Sequence, residues 1–257
     1  MDIGYTDLAA EVRAQHLSHL DRVLALCAGN ADRPPEKRFR WTCESALMVK
    51  DYLETRPGDQ CQALIHALRA GWIELQACLT QPLTELASAK ELVDCLSYAV
   101  QLGKNEGFEV CCGMIDDIGG YAGRLPSVRA RLGVRYLVAG VGAFQVHLPW
   151  APLPHLFYLE CPDGHRILVW NLGIDRTRRP QDMEGLCAVY GQGALYLVQP
   201  FANAGCERQR RGVEMDVDSE APAVKARERF AELEQRLERE AYAYPEILLQ
   251  YGGDNQG

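Results

Sequence analysis

The chain has 257 residues, enough for one large domain or two small ones, and its 47% hydrophobic and 24% charged content is that of a globular protein. A net charge of −8 argues against a nucleic-acid partner, because phosphate binding wants a basic face. No apolar run approaches the roughly 18 residues of a membrane span, and no charged-then-apolar leader opens the chain. The one basic run, "ERQRRG" at 207–212, lies in a polar stretch and reads as a solvated loop.

Taken in chain order, Thr6 or Asp7 is placed to cap a helix with apolar positions Leu8, Val12, Leu17, Leu20, Leu24 and Cys27, stopped at Gly29 and Asn30. "RFRWT" (38–42) reads as a short strand. Helices follow over Ser45–Leu53 and Cys61–Leu68, broken by "RPGD". "GWIELQACL" (71–79) is a strand of the buried parallel kind. Thr84 to Leu102 keeps a helical period through Leu86, Leu92, Val93, Leu96 and Val100, with Gly103 as its stop. "FEVCCGMID" is a strand, "RLPSVRARLG" a helix and "VRYLVAG" (134–140) a further strand. The repeated strand–helix rhythm implies a parallel sheet with right-handed crossovers.

After residue 150 the pattern changes. "HLFYLECPDGHRILVWNLG" (155–173) is a hairpin joined by "CPDG", expected to decorate the sheet as an insertion spanning 151–222. "GALYLVQPF" is a strand, 203–222 a polar loop, and Val224–Ala241 an amphipathic helix with Phe230, Leu233 and Leu237 on one face. "EILLQYGGDNQG" closes the chain with a strand running into a turn.

Ten cysteines occur without any C-x-x-C, so zinc-ribbon and thioredoxin signatures are absent. Most sit in apolar segments, which points to reduced thiols in a cytoplasmic setting. A G-x-S-x-G elbow, a Walker A loop and a G-x-G-x-x-G are also missing. "GVGAF" at 140–144 follows a strand but lacks the rest of a nucleotide loop. His16 and His19 are spaced i,i+3 and read as surface residues, without a carboxylate in register for a metal.

In parallel α/β folds, reactive groups collect past the carboxyl ends of strands. Asp2, Glu44, the pair Asp116 and Asp117, and Asp254 occupy such places. Each has a plainer reading: a terminal residue, a first-turn helix acid, a turn brace and a glycine-rich tail. Trp41, Trp72, Trp150 and Trp170 read as packing residues that could also serve a sugar site.

These segments, in this order, resemble the glycoside hydrolase family 38 α-mannosidases in their divergent bacterial branch. "DIGYTDLAAEVRAQHLSHLD" is similar to the turn and helix that follow their His-x-His-x-Asp strand. "FRWTCESALMVKDYL" resembles their Phe-x-Trp-x-x-Glu segment, and "GWIELQACLTQPLTEL" the Gly-Trp strand after it. "IDDIGGYAGRLPSVRARLGVRYLVAG" resembles the Ile-Asp-x-x-Gly segment with its helix and strand, and "QYGGDNQG" a late Gly-x-Asp turn.

The resemblance implies an α/β fold, a seven-stranded parallel barrel, here incomplete: a single domain over 1–257, truncated at both ends, with the first strand upstream of residue 1. It implies carbohydrate as the substrate and hydrolysis of O-glycosidic bonds with retention, which needs two carboxyl groups close together across the bond. It implies one zinc in the full-length form. Carried over residue by residue, Asp2 becomes a metal ligand, Asp254 the acid/base, Asp117 a catalytic-segment residue lining the site, and Glu44, Trp41 and Asp116 substrate-binding groups.

The family's nucleophile, however, falls near Gln76, and glutamine cannot form a glycosyl-enzyme ester. Glu74 is nearby, and strand alternation decides whether it faces the site. One ligand of four cannot hold zinc tightly, so the chain as given is expected to be inactive or metal-free. Two alternatives stand beside the hydrolase: a non-catalytic carbohydrate-binding relative, and a metal-dependent polysaccharide deacetylase. A barrel lacking one strand exposes pairing edges, which predicts marginal solubility. The geometric expectation is that acids 2, 44, 117 and 254 meet at one rim of a closed ring.

Overall fold

The computed structural model describes residues 8–115, 122–139, 154, 156–171, 231, 234–235, 237–239 and 241–246. Helix α1 (Ala9–Gly29) buries Val12, His16, Leu20, Val23 and Cys27, a stripe at helical spacing. Its N-cap is Leu8, without a side-chain cap, and Thr6 and Asp7 lie outside the described residues. His16 belongs to the buried stripe, a correction to its surface reading. Its spacing of four residues from both Val12 and Leu20 fixes that face.

Strand β1 (Trp41–Cys43) leads into helix α2 (Ala46–Thr55). Ser45 caps α2, its hydroxyl accepting the Leu47 N–H. Arg56 and Pro57 then break the chain before helix α3 (Gly58–Arg69), since a residue before proline leaves the helical region. Tyr52, buried, donates its hydroxyl to Asp21 at 2.7 Å and so ties α2 to α1.

Strand β2 (Ile73–Leu75) pairs parallel with β1, Trp41 opposite Ile73 and Cys43 opposite Leu75. Helix α4 (Ala89–Glu106) starts five residues later than the periodicity suggests. A capping box decides its start: Ser88 accepts the Glu91 N–H while the Glu91 carboxylate accepts the Ser88 N–H. Thr84 is instead buried in the preceding loop, where its hydroxyl accepts the Ala122 N–H at 2.9 Å, and Leu86 is left in solvent. Gly103 does not end α4. The helix runs past it to Gly107, whose φ of +74° closes the last turn. A side chain at Gly103 would strike the Phe108 carbonyl, so this glycine serves close packing.

Strands β3 (Cys112–Ile115) and β4 (Tyr136–Ala139) are parallel, with helix α5 (Leu125–Arg131) between them. Strands β5 (Leu156–Glu160) and β6 (Arg166–Asn171) form the expected hairpin. Its turn holds Pro162 and ends at Gly164, φ +80°. Expected as an insertion, the hairpin instead places β6 inside the main sheet, parallel beside β4, in the order β3-β4-β6-β5. The alternation of Ile167, Val169 and Asn171 with Leu168 and Trp170 suits a strand covered on both faces.

The two sheets are joined by a hydrogen bond from the Ala77 N–H to the Cys112 carbonyl at 2.9 Å. The fold is therefore α/β with parallel strands; six strands are present among the described residues. The expected closure into a seven-stranded ring reaches beyond these residues, as do the strand at 193–201, the loop at 203–222 and most of the helix at 224–241. Of that helix face, Leu237 is described and buried.

One large core lies between the sheet and the helices, built from Leu20, Tyr52, Leu64, Ile73, Leu75, Leu96, Ile115, Leu137, Ile167 and Val169 among others. A second, smaller cluster holds Cys112, Met114, Val138, Trp170 and Leu237. Adjacent strand residues fall in different clusters, so α1–α5 cover one face and the second cluster, with Leu237 of the 224–241 helix, occupies the other.

Candidate functional site

The face turned away from the helices carries the chemistry. On β2, Ile73 and Leu75 enter the main core while Glu74 points the other way, open to solvent. Alternation then puts Gln76, just past the strand, on the side of Glu74. The Gln76 backbone N–H continues the ladder to the Cys43 carbonyl at 3.0 Å, which sets it beside Glu44 in the parallel register.

Gln76 is buried, with its side chain on the Cys112 side, where it favours the charged form of that thiol. Its Oε1 has no hydrogen-bond partner among the described residues, and neither does the indole Nε1 of Trp170. Glu44 is half-buried and accepts a hydrogen bond from the Gln81 amide. This contact joins the loops that follow β1 and β2 and fixes the carboxylate's direction.

Crowding by neighbouring atoms partly desolvates the Glu74 carboxyl and raises it above its ordinary pKa, although the side chain keeps solvent access. Burial pushes the Cys112 thiol to about 12; the Glu74 charge adds to this and the Gln76 side chain opposes it. Cys112 is thus a protonated thiol. The face presents one oriented carboxylate and one carboxyl with a raised pKa, while the unpartnered Gln76 Oε1 and Trp170 Nε1 are both buried. An amide acceptor and an indole donor suit a neutral ligand rich in hydroxyls.

Among the expected site residues, Glu44 is on this face beside Gln76. Trp41 is not, because strand alternation sends it, half-buried, against the main core with Cys43. Asp2, Asp116, Asp117 and Asp254 lie outside the described residues, so the proposed meeting of four acids reduces here to Glu44. Trp72 packs edge-on against His66, their ring centroids 5.1 Å apart. Gln81 escaped the sequence reading; its only signal is a polar residue in the loop after a strand. Trp170, a packing residue that could also serve a sugar site, is buried in the second cluster with its indole N–H unpartnered among the described residues.

A neutral amide and a protonated thiol are poor zinc donors. Among the described residues no group of three His, Cys, Asp or Glu side chains is placed to hold a metal ion. Asp2, the ligand that the resemblance implies, lies outside the described residues. His16 and His19, with ring centroids 6.4 Å apart, have no third ligand among them.

No family model and no curated protein matches the chain. Solved structures do. An alpha-mannosidase from Enterococcus faecalis V583 superposes with a TM-score of 0.55 at 17% identity over 95% of this chain. The chain spans 28% of that protein's length. A glycosyl hydrolase family 38 protein from Enterococcus faecalis gives a TM-score of 0.49 at 14% identity, over 95% of this chain and 27% of its own. A 4-alpha-glucanotransferase from Thermococcus litoralis gives 0.49 at 13%, over 66% of this chain and 25% of its own. The first of these establishes a shared fold.

Proposed function

We propose that the chain is a glycoside-hydrolase-like domain related to the α-mannosidases, which binds carbohydrate on the face that carries Glu44, Glu74 and Gln76. The observation that carries this reading is Gln76. It is buried on the Cys112 side, adjacent in register to Glu44, and its amide oxygen, turned away from the helical layer, has no partner among the described residues. The fold shared with an alpha-mannosidase supports the choice of ligand class. The family's full-length chemistry is zinc-dependent hydrolysis with retention, and it needs a carboxylate where this chain has glutamine. The chain as given therefore binds sugar without cleaving it and takes no zinc.

In this reading Gln76 Oε1 accepts a sugar hydroxyl and Trp170 Nε1 donates to one. Glu44, held by Gln81, accepts another, and Glu74 accepts a further one. These groups orient a ring without attacking its anomeric carbon.

The test is thermal melting of the chain with methyl α-mannoside, methyl α-glucoside and an uncharged non-sugar osmolyte at equal concentration. A site occupied at a hundred times Kd stabilises the fold by about 2.7 kcal/mol. A saturable rise with the mannoside that Gln76→Leu abolishes is the expected result. Equal shifts with all three additives would overturn the binding claim. Release of nitrophenol from an aryl α-mannoside by the purified chain, with or without added zinc, would overturn the non-cleaving claim.

A further inference from the structure

The proposed sugar face continues, in register, beyond Glu44 and Gln76. In a parallel ladder an N–H donates to the carbonyl one residue before its partner. Tyr136, paired with Cys112, donates in this way to the Cys111 carbonyl at 3.1 Å. Ala77 donates to the Cys112 carbonyl, so it pairs with Gly113, and Gln76 stands beside Cys112. Cys112 pairs with Tyr136, Tyr136 with Leu168, and Leu168 with Tyr158. With Glu44 on the far side of Gln76, one row crosses the described strands: Glu44, Gln76, Cys112, Tyr136, Leu168, Tyr158.

The whole row faces one way. Its neighbours along the strands, Cys43, Leu75, Leu137, Val169 and Phe157, pack in the main core, and alternation turns the row to the other side. It is closed at one end and open at the other. Gln76 and Cys112 are buried, Glu44 and Leu168 half-buried, Tyr136 is 42% exposed and Tyr158 60%. The next row, Met114, Val138, Trp170 and Leu156, packs instead against Leu237 and Tyr242.

Each open ring carries an arginine. The Arg135 guanidinium lies 5.5 Å from the Tyr136 centroid, and that of Arg166 4.7 Å from the Tyr158 centroid. A cation over one face of a ring holds the ring's orientation and leaves the other face available. Strands lie about 4.8 Å apart, so Tyr136 stands about 10 Å from Gln76 and Tyr158 about 10 Å further on.

We propose that Tyr136 and Tyr158 form outer subsites for a neutral oligosaccharide whose first unit sits at Glu44 and Gln76. This extension rests on the sugar-binding reading and names the ligand as a chain of sugars rather than a single ring. Continuity in register with the proposed sugar site selects that occupant. The two open side chains also combine an apolar ring with a hydroxyl, which suits a ligand with apolar C–H faces and hydroxyl rims. Arg135 is paired with Glu109 at 2.9 Å, and Arg166 stands opposite Glu160. The cations at the row are thus balanced by carboxylates and leave no positive field to draw an anionic polymer.

Isothermal titration calorimetry of the whole chain with methyl α-mannoside and with a linear α-linked mannotetraose tests the row. The tetraose should bind at least about tenfold more tightly than the methyl glycoside. Tyr136→Ala and Tyr158→Ala should each weaken the tetraose by about threefold or more and leave methyl α-mannoside unchanged. The length dependence in the unmodified chain is a readout that needs no variant. Equal affinities for the two probes, with methyl α-mannoside binding that Gln76→Leu abolishes, would overturn the outer subsites and leave the first reading standing. Failure of both probes to bind would overturn both. Tyrosine variants that weaken the two probes equally, or neither, would also overturn the subsites. A dimer that Tyr158→Ala dissociates and the tetraose does not, seen by sedimentation, would assign the row to a second copy of the chain and against a glycan.

Discussion

Replacing Gly103 by alanine sets two opposed effects against each other. An interior helix glycine ordinarily costs about 1 kcal/mol relative to alanine, so propensity alone forecasts a stabler chain. The packing forecasts the reverse. A Cβ at Gly103 would lie 2.6 Å from the Phe108 carbonyl oxygen and 3.0 Å from Val110 Cγ2. The first contact is with backbone, which cannot rotate aside as a side chain can. The same turn is closed by the Phe108 N–H donating to the Gly103 carbonyl at 2.9 Å, and Gly107 sits at φ +74° to allow it. Relief of the clash moves Phe108 outward and carries the approach to β3 with it. Overpacking of this kind costs about 1–3 kcal/mol, and weakening the turn hydrogen bond adds about 1 kcal/mol. Set against the propensity gain, Gly103→Ala should destabilise by about 1–3 kcal/mol, lowering Tm by about 2–12 °C for a chain of this size. Calorimetric or circular-dichroism melts measure it. Gly29→Ala, at the end of α1 with nothing within 4 Å, is the open-space comparison and should hold or raise Tm. An unchanged or higher Tm for Gly103→Ala would refute the packing argument.

Three further outcomes follow from particular contacts. Gln76→Leu removes a buried carbonyl that lacks a partner, worth about 1–3 kcal/mol, against the loss of its polar contact with Cys112 at about 1 kcal/mol; urea melts should show a gain of about 0–2 kcal/mol, and a clear loss would contradict the free oxygen. Ser88→Ala removes the capping box of α4 and should cost about 0.5–2 kcal/mol in the same assay, with an effect under 0.3 kcal/mol or so counting against the cap. Asp163 sits in the hairpin turn; desolvation raises its pKa, but hydrogen bonds from Arg131, Ser127 and His165 outweigh it and hold the carboxyl at about 2. A depressed carboxyl stabilises the fold above its ordinary 3.8, and that contribution fades as pH falls through 2. The stability gap between the unmodified chain and Asp163→Asn should be present at pH 5, shrink towards pH 2 and close below it; a gap independent of pH would remove Asp163 from the account.

Local pattern alone located most of the elements. Five described helices fall on the segments whose apolar residues recur at helical spacing, and the "CPDG" turn announced its hairpin through a proline and a glycine in the positions such a turn requires. The sequence also set the neutral residue at 76, and with it the absence of a nucleophile there. Tertiary structure decided the rest, for reasons no window of residues contains. Whether Gly103 stops a helix or lets Phe108 approach depends on the chain that returns against it. Whether the hairpin hangs outside or supplies a sheet strand depends on β4 offering a free edge. His16 and Arg129 look like surface residues in sequence, and only the neighbouring elements bury them. The hydrogen bond from the Leu79 N–H to the Cys95 carbonyl likewise joins the segment after β2 to helix α4; spacing in the chain fixes which atoms are available, and packing fixes which of them meet.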